Sequence, residues 1–335
     1  MEHMTTQSRS IVVQSSDAGE ITTHILPTTE EHIADGDVLI HVAYSSLNFK
    51  DSMALRGDRG VARTFPFSPP ASIAVGTVLE SDSERFQPGD KVIANGAGIG
   101  EFRHGGYTNR QRIHAISTVH LPANFSMHQA AAIGTAGYTA ALSVNALIQH
   151  GVLPDHGPIL VTGATGGVGS IAILLLHKLG YNVVAATGRV EEYSEYLLNL
   201  GADSIVDRKE LSEKGKPLQR AIYAGVVDCV GSHTLVNACA QTKWGGVVTA
   251  CGLAQGADLP GTVLPFILRG ISLVGINSVD APLEHREKAW ELLSQTLDTE
   301  ALDAMTTTIG LDDVIDAGKA LMNNQLHGRT VVEID

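Results

Sequence analysis

The spacing of apolar residues predicts two kinds of domain. In the first part of the chain, short apolar runs such as residues 38–43 and 76–79 alternate with glycine and proline, which is typical of β-strands joined by turns. From residue 127, apolar strands alternate with helical patterns, which predicts a doubly wound parallel sheet. The tail returns to strands around one helix, so we expect it to rejoin the first part. The predicted domains are a mostly β domain over residues 1–126 and 304–335 and an α/β domain over residues 127–303.

A strand, a glycine-rich turn, a helix and a second strand follow one another in residues 158–186. The pattern predicts a helix from Ser170 to Leu179, with Gly180 as its C-terminal cap. In a dinucleotide cradle, the glycines allow a sharp bend, close approach of a pyrophosphate to the backbone, and tight packing of the helix. The glycines matched to these purposes are, in that order, Gly163, Gly166 with Gly167, and Gly169. Such a turn by itself also connects a strand to a helix, but the order of the four elements favours dinucleotide binding.

The residues after the second strand distinguish between the two nicotinamide cofactors. An NAD site usually carries an acidic residue there, whereas this chain has Thr187, Gly188 and Arg189. A hydroxyl, a glycine N–H and a guanidinium bind a 2′-phosphate through charge-assisted hydrogen bonds, so we predict NADPH. Alternatively, Arg189 is a solvated residue at the start of the next helix, and Glu191 or Glu192 serves the ribose.

Composition narrows the class of protein. The 335 residues suggest two domains, and a net charge of −13 argues against a nucleic acid partner, which needs a basic face. With no apolar signal region and no uninterrupted apolar run of about 18 residues, we expect a cytoplasmic protein that does not bind membranes. The three cysteines are not in paired spacings and the 14 histidines are scattered. We therefore expect no metal site, a reducing compartment, and a packing role for the cysteines.

Seven separated motifs, spread along most of the chain, resemble those of one family. It is the medium-chain dehydrogenase/reductase superfamily, in particular the acryloyl-CoA reductase branch of its zinc-free, quinone-oxidoreductase-like group. The resemblance implies a Rossmann cofactor domain and a GroES-like catalytic domain. The motifs lie at residues 44–51, 133–139, 162–170, 176–181, 251–253, 265–269 and 323–329.

The resemblance also implies a reaction. NADPH delivers hydride to the β-carbon of a short α,β-unsaturated acyl-CoA, and the resulting enolate is protonated at the α-carbon. The zinc members carry cysteine and histidine where this chain has Leu47, Asn48 and Asp51, and this chain lacks their four-cysteine lobe, so a zinc-independent reduction is expected. Two alternatives stay open: a quinone or enone reductase on the same scaffold, and a non-catalytic NADPH-binding protein.

Three polar residues are the candidates for the reacting end of the site. Asn48 would orient the carboxamide or donate to the enolate, Tyr44 would contact the cofactor or relay a proton, and Asp51 would hold the local geometry. The alternative is structural: Asn48 caps a helix over residues 49–56 with Asp51 in its first turn and Gly57 at its end, and Tyr44 is a core aromatic.

The resemblance adds contacts at Arg208, Leu253, Ile267, Ser278 and Asn324 to those that the glycine-rich motif and the end of its second strand predict. The predicted cofactor-binding residues are Tyr44, Thr139, Thr165, Gly166, Gly167, Val168, Thr187, Gly188, Arg189, Arg208, Leu253, Ile267, Ser278 and Asn324. The apolar strand at residues 271–276 is a plausible sheet edge, and by resemblance we expect a homodimer paired through it.

Two loops differ from the branch. Residues 67–76 lack the usual Pro-Gly-x-Asp turn, and residues 95–106 have Ala97 and His104 where relatives carry tryptophan. Loss of large aromatic side chains is expected to reshape the substrate pocket. Four arginines near these loops are either a site for CoA phosphates or ordinary solvated surface. They are Arg56, Arg59, Arg63 and Arg103.

Overall fold

The computed structural model describes residues 8–334 except Ala34, Thr64, Pro66 and Pro69, so part of the altered loop at 67–76 lies outside the described residues. The strands in chain order are β1 (Arg9–Ser15), β2 (Ile21–Pro27), β3 (Val38–Leu47), β4 (Phe67–Ser68), β5 (Ile73–Ser81), β6 (Lys91–Asn95), β7 (Arg110–Ile113), β8 (Thr118–His120), β9 (Ile159–Val161), β10 (Val183–Thr187), β11 (Ser204–Asp207), β12 (Tyr223–Asp228), β13 (Thr242–Ala250), β14 (Ser272–Gly275), β15 (Thr306–Gly310) and β16 (Arg329–Glu333). The helices are α1 (Phe49–Leu55), α2 (Met127–Gln149), α3 (Gly167–Lys178), α4 (Val190–Asn199), α5 (Lys209–Ser212), α6 (Ser232–Gln241), α7 (Leu264–Arg269), α8 (Leu283–Thr296), α9 (Thr299–Ala304) and α10 (Val314–Met322).

Contacts between residues group the chain into two compact units. Unit 1 consists of Met1–Thr135, Val279–Glu287 and Met305–Asp335, and unit 2 consists of Ala136–Ser278 and Lys288–Ala304. Each unit has its own sheet structure and its own apolar core.

Unit 2 contains a parallel sheet, which in the described part of the chain has six strands in the order β11-β10-β9-β12-β13-β14. Strand β9 lies in the middle of the sheet. From β9 the chain adds β10 and β11 on one side and then β12, β13 and β14 on the other, as in a doubly wound fold. The prediction of this fold class is confirmed. Strand β13 begins at Thr242, so it extends well before the apolar residues that start at Val247.

The core of unit 2 explains why its strands read as continuous apolar runs. Leu160, Val226 and Val248 are fully buried on adjacent strands, since helices cover a parallel sheet on both faces. Helix α3 is likewise buried along most of its length, from Gly169 to Leu176. The cradle turn before α3 is thus fixed between a buried strand and a buried helix.

Strand β3 is central to unit 1. It pairs antiparallel with β5, β7 and β16, and in the register with β16 Val332 lies opposite Ser45. The C-terminal segment therefore returns to the first part of the chain, as the sequence predicts. Strands β1, β2 and β4 form a separate small sheet among the described residues.

A buried arginine ties the segment 279–287 to the rest of unit 1. Arg286 is 2% exposed, and its guanidinium donates to the carbonyl oxygens of Ala281, Val279 and Asn95. The Ala97 N–H also donates to the Val279 carbonyl, at 2.7 Å. These bonds hold the loop after β6 against the segment 279–287.

Helix α2 is long and apolar enough to cross a membrane by length and composition, although polar residues interrupt its apolar runs. Of its most apolar window, 83% is buried inside the fold, as in the core helix of a globular protein. The helix is also broken at Gly134, which has φ 56°.

Candidate cofactor and active site

The glycine-rich turn of unit 2 has the geometry of a cradle. Gly163 adopts φ +60°, and the Gly166 N–H donates to its carbonyl oxygen at 3.0 Å. A Cβ at Gly169 would lie 2.5 Å from the Gly163 carbonyl oxygen, closer than any real side chain approaches. The predicted bend at Gly163 and the tight packing at Gly169 are confirmed.

The helix after the turn begins earlier than the sequence predicts. α3 starts at Gly167, three residues before the predicted Ser170, because the glycine-rich residues themselves form its first turn. Its N-terminal N–H groups lack partners within the helix and favour an anion. Gly166 is exposed, and Thr165, Gly167 and Val168 are half-buried. The turn therefore presents backbone donors where a pyrophosphate is expected.

Two arginines follow the carboxyl ends of β10 and β11, and both bond to Thr187. The Arg208 N–H donates to the Thr187 carbonyl at 3.0 Å, and the Arg189 N–H donates to the Thr187 hydroxyl at 3.2 Å. The Arg208 guanidinium lies over Gly188, where an added Cβ would be 2.3 Å from Nε. One cluster therefore contains four of the predicted cofactor-binding residues, namely Thr187, Gly188, Arg189 and Arg208.

The Arg189 side chain is held by its own helix. Its Cζ lies 4.3 Å from the centroid of the Tyr193 ring, and Nη1 lies 3.7 Å from Glu192 Oε1. Burial raises the pKa of the Tyr193 hydroxyl. The position of Arg189 at the start of α4 fits the alternative prediction too, but Glu192 here pairs with the arginine.

The other predicted contacts in unit 2 have different environments. Thr139 is buried in α2 and Ser278 is half-buried. Leu253 is 63% exposed and Ile267 is 67% exposed. Apolar side chains this exposed are compatible with a ligand or a partner.

Asn324 belongs to unit 1 and has a local explanation. It follows α10 with φ 57°, and its N–H donates to the Leu321 carbonyl at 3.0 Å. Asparagine is one of the few residues that adopt this left-handed conformation at a helix end. Its predicted contact with the cofactor stays a prediction.

Asn48 and Asp51 form a buried polar network at the start of α1. Asp51 is 1% exposed and accepts hydrogen bonds from the Asn48 backbone N–H and side-chain Nδ2, both at 2.8 Å, and from the Ser72 N–H at 2.7 Å. Burial raises the pKa of the Asp51 carboxyl, and the bonds from Asn48 and Ser72 oppose that shift. Asn48 is also the N-cap of α1, and Gly57 follows the helix with φ +70°. The predicted capping role of Asn48 is therefore present together with its contacts in the buried network.

Arg329 completes this network and was missed by the sequence reasoning. It is 2% exposed, its Nη2 donates to Asn48 Oδ1 at 3.1 Å, and its Nε donates to the Ala132 carbonyl. Arginine can only donate and an ionised carboxylate can only accept, so the two neighbours fix which end of the Asn48 amide faces each. The motif at residues 323–329 ends in this arginine, so the sequence pointed to the residue without indicating its partner.

Tyr44 lies on β3 and is half-exposed, so it is not the core aromatic of the structural alternative. Its hydroxyl donates to Glu333 Oε1 at 3.4 Å, and its ring packs edge-on against His128 with 5.6 Å between centroids. The buried aromatic of this region is Tyr107, whose hydroxyl donates to the Ser46 carbonyl at 3.2 Å. Burial raises the pKa of Tyr107, and the Asp51 carboxylate adds to the shift.

The altered loop at 95–106 packs within unit 1. His104 hydrogen bonds to the His32 backbone, and burial lowers its pKa. Two of the four nearby arginines stack on aromatic rings: Arg59 lies 5.2 Å from the Phe65 centroid and Arg103 lies 5.8 Å from the Phe102 centroid. Arg56 and Arg63 are exposed.

The chain matches two family models. Residues 34–148 match the alcohol dehydrogenase GroES-like domain and residues 167–295 match the zinc-binding dehydrogenase model. The acrylyl-CoA reductase AcuI of Ruegeria pomeroyi is 42% identical over 97% of this chain and 98% of its own length. The chain belongs to the medium-chain dehydrogenase/reductase superfamily. Within that superfamily, it falls in the quinone-oxidoreductase-like group.

Solved structures of other superfamily members agree. The yhdH oxidoreductase of Salmonella enterica in complex with NADP is 42% identical, with a TM-score of 0.94 over 98% of this chain and 100% of that chain. The putative quinone oxidoreductase YhfP of Bacillus subtilis is 39% identical over 95% of this chain and 96% of its length. Its structure with NAD bound has 38% identity and a TM-score of 0.92 over 98% of this chain and 100% of that chain.

One of the two matching family models is described as a zinc-binding dehydrogenase, but the described residues of this chain do not form a zinc site. In the part of the chain that the structure describes, no group of three or more His, Cys, Asp and Glu side chains is placed to hold a metal ion. A catalytic zinc needs three such protein ligands. The Asn48 amide instead donates a hydrogen bond to the Asp51 carboxylate.

Proposed function

We propose that this chain reduces the C=C bond of a short α,β-unsaturated acyl-CoA, of the acryloyl-CoA to propionyl-CoA type. It is an NADPH-dependent oxidoreductase. The observation that carries the proposal is the full-length similarity to an acrylyl-CoA reductase, joined to a cradle beside which Arg189 follows β10 and Arg208 follows β11. In this proposal unit 2 is the cofactor domain and unit 1 is the catalytic domain.

The residues of unit 2 fit the dinucleotide. The backbone donors of residues 165–168 would hold the pyrophosphate at the start of α3. Arg189 and Arg208 would hold the 2′-phosphate, since guanidinium groups bind phosphate through paired, charge-assisted hydrogen bonds. Bound NADPH would supply the hydride that adds to the β-carbon of the substrate.

The residues of unit 1 would then stabilise the charge that develops on the substrate oxygen. The Asn48 amide gives one N–H to Asp51, and its other contacts through Nδ2 are long, 3.3 Å to Ser46 Oγ and 3.5 Å to Ser72 Oγ. The second N–H is therefore able to donate to an enolate oxygen. Asp51 and Arg329 are positioning residues, because they hold the two ends of this amide. Tyr44, with its half-exposed hydroxyl, would contact the cofactor or relay a proton.

Replacing Asn48 with serine tests this role. Serine is about as good an N-cap as asparagine, so α1 is expected to keep its stability, while the amide donor is lost. We expect kcat to fall about 100-fold, as for removal of one oxyanion donor, with the KM for NADPH unchanged. Steady-state kinetics and thermal unfolding of the same preparation give the comparison. An unchanged kcat in Asn48→Ser would show that Asn48 is only a helix cap.

Replacing Arg189 with serine tests the cofactor assignment. Loss of a charge-assisted bond to the 2′-phosphate is expected to raise the KM for NADPH about 10- to 100-fold. The KM for NADH should stay unchanged, because NADH lacks that phosphate. The exposed Arg220 of the same unit provides the charge-matched control, and Arg220→Ser should alter neither value. Equal effects on NADPH and NADH would contradict the assignment.

We also infer a cytoplasmic homodimer that associates with neither membrane nor nucleic acid. Support for the dimer comes from β14, which is at one end of the described parallel sheet, and from exposed apolar side chains on and beside α7. Val263 and Leu268 are among these side chains. Light scattering during gel filtration measures the mass, and a monomer would refute the pairing.

The first test of the function compares electron acceptors. NADPH oxidation is measured with acryloyl-CoA, with acryloyl-pantetheine, which lacks the nucleotide phosphates, with a simple quinone and with a CoA-free enone. Each is repeated with NADH, because YhfP was solved with NAD. Fast turnover of acryloyl-CoA and poor turnover of the pantetheine ester would support the proposal and give the exposed arginines of unit 1 a role in CoA binding. Turnover of the quinone or the enone alone would favour the quinone reductase alternative, to which the name of YhfP points. Binding of NADPH without turnover of any acceptor would favour the other alternative, a non-catalytic NADPH-binding protein.

A further inference from the structure

Two cysteines that are far apart in sequence are neighbours in unit 2. Cys229 directly follows β12 and Cys251 directly follows β13, and these parallel strands pair Asp228 with Ala250. The next residues on each strand are the two cysteines, and their sulfur atoms are 3.8 Å apart. Both are half-buried and both are free thiols. Their sequence spacing gave no sign that these two cysteines are neighbours.

The pair is built into the carboxyl end of the sheet. The Cys229 N–H donates to the Thr162 hydroxyl at 3.0 Å, and the Cys251 N–H donates to the Asp228 carbonyl at 2.9 Å. Asp228 in turn accepts the Gly231 N–H at 2.8 Å, which shapes the loop after Cys229. Both cysteines thus sit on ordered backbone.

The dithiol is also adjacent to the cradle. An added Cβ at Gly163 would lie 3.3 Å from the Cys229 Cβ, and one at Gly252 would lie 2.1 Å from the Cys229 carbonyl oxygen. The Cys229 side chain is therefore close to the turn that begins the cradle. Because the Cys229 N–H also bonds to the hydroxyl of Thr162, the residue before Gly163, a shift of Cys229 is expected to move this turn.

The geometry permits a disulfide. Neighbouring strands are about 4.8 Å apart, which falls within the Cα separation of roughly 4.4–6.8 Å found in disulfides. The two sulfur atoms, 3.8 Å apart, need to approach by about 1.8 Å to reach a bond of about 2.05 Å. The remaining cysteine differs: Cys239 is buried in α6, and burial raises its pKa to about 12.

We propose that Cys229 and Cys251 are a redox modification site that peroxides convert to a disulfide, and that this disulfide weakens dinucleotide binding at the adjacent cradle. The bond itself is independent of the proposed function, whereas its effect on NADPH binding rests on that function. Two-electron oxidants of this class act on half-exposed thiols, and a reducing compartment restores them.

The chemistry balances in two steps. The Cys251 sulfur attacks the peroxide, the O–O bond breaks, an S–O bond forms, and water or an alcohol leaves, which gives a sulfenic acid. The Cys229 sulfur then attacks Cys251, the S–S bond forms, and the sulfenic oxygen leaves as water. Two thiols are oxidised by two electrons and one peroxide is reduced. Both cysteines are half-buried and their sulfur atoms are neighbours, so the opposite order of attack gives the same disulfide.

The test exposes the full-length protein to hydrogen peroxide and then measures its mass and its affinity for NADPH. We expect a mass loss of about 2 Da, with a peptide that joins the two cysteines. The count of free thiols should fall from three to one. The dissociation constant for NADPH, read from cofactor fluorescence, should rise at least about tenfold and return after dithiothreitol.

Serine variants provide the controls. Cys229→Ser and Cys251→Ser should each keep NADPH affinity after peroxide, whereas Cys239→Ser should lose it as the parent protein does. A mass gain from oxygen atoms in place of the 2 Da loss would overturn the disulfide. Lost affinity in the Cys229→Ser and Cys251→Ser variants would overturn its effect on the cradle. If the untreated protein fails to bind NADPH, the proposed function fails, while the mass and the thiol count still decide whether the disulfide forms.

Discussion

Replacing Gly169 with alanine is expected to destabilise unit 2 by about 3 kcal/mol. The new Cβ would lie 2.5 Å from the Gly163 carbonyl oxygen and 2.7 Å from the Ala164 Cα. Both atoms belong to backbone that is fixed between β9 and α3, so neither moves cheaply. Urea or thermal unfolding, with the purified protein at fixed concentration, measures the loss.

Alanine substitutions at two other glycines distinguish an effect on stability from an effect on NADPH binding. At Gly166 a Cβ would be 3.3 Å from the Gly163 carbonyl oxygen, in an exposed position with φ −80°, so alanine fits with a small adjustment. Gly166→Ala should keep most of its stability and lose NADPH affinity, because the methyl group occupies the approach of the pyrophosphate. At Gly275 a Cβ would have no neighbour within 4 Å, and Gly275→Ala should leave stability unchanged. A Gly169→Ala protein as stable as Gly275→Ala would contradict the packing argument.

Replacing Arg286 with methionine is expected to cost about 3–5 kcal/mol of unfolding free energy. Methionine has a similar length but no donors, so the carbonyls of Ala281, Val279 and Asn95 lose a buried partner. The matched control is Arg112, whose ion pair with Glu80 is 3.4 Å long and partly exposed. Arg112→Met should cost at most about 1 kcal/mol.

Chemical denaturation of the two methionine variants gives the comparison directly. Equal midpoints for Arg286→Met and Arg112→Met would mean that water replaces the guanidinium of Arg286 at no cost. In that case the segment 279–287 would not depend on this side chain for its attachment to unit 1.

The cradle could be predicted from sequence because its causes are local. A positive φ at Gly163 and the missing Cβ at Gly169 follow from neighbouring residues in one turn, and the apolar runs around them specify the buried strand and helix. The start of α3 was wrong by three residues for a related reason: glycine is a poor helix former, so its presence argued against a helix that tertiary packing nevertheless completes.

The long-range parts could not be predicted in this way. The Arg329 guanidinium meets Asn48 across 281 residues of sequence, and nothing in the local pattern around either residue encodes that distance. Cys229 and Cys251 meet because β12 and β13 are in register, and register is a property of the assembled sheet. Sequence patterns therefore predicted the elements, while the partners of buried polar groups required the fold.

The pairing of β16 with β3 has a consequence for biosynthesis. The ribosome makes β3 and Asn48 early, then the whole of unit 2, and only afterwards β16 with Arg329. Until then the nascent chain carries an unpaired edge on β3 and an Asn48 amide without its arginine partner. Strand edges of this kind are where growing chains aggregate. The hydrogen-bond network of Asn48 is accordingly completed only after translation of the segment between, which makes the emergence of β16 the late step in maturation of unit 1.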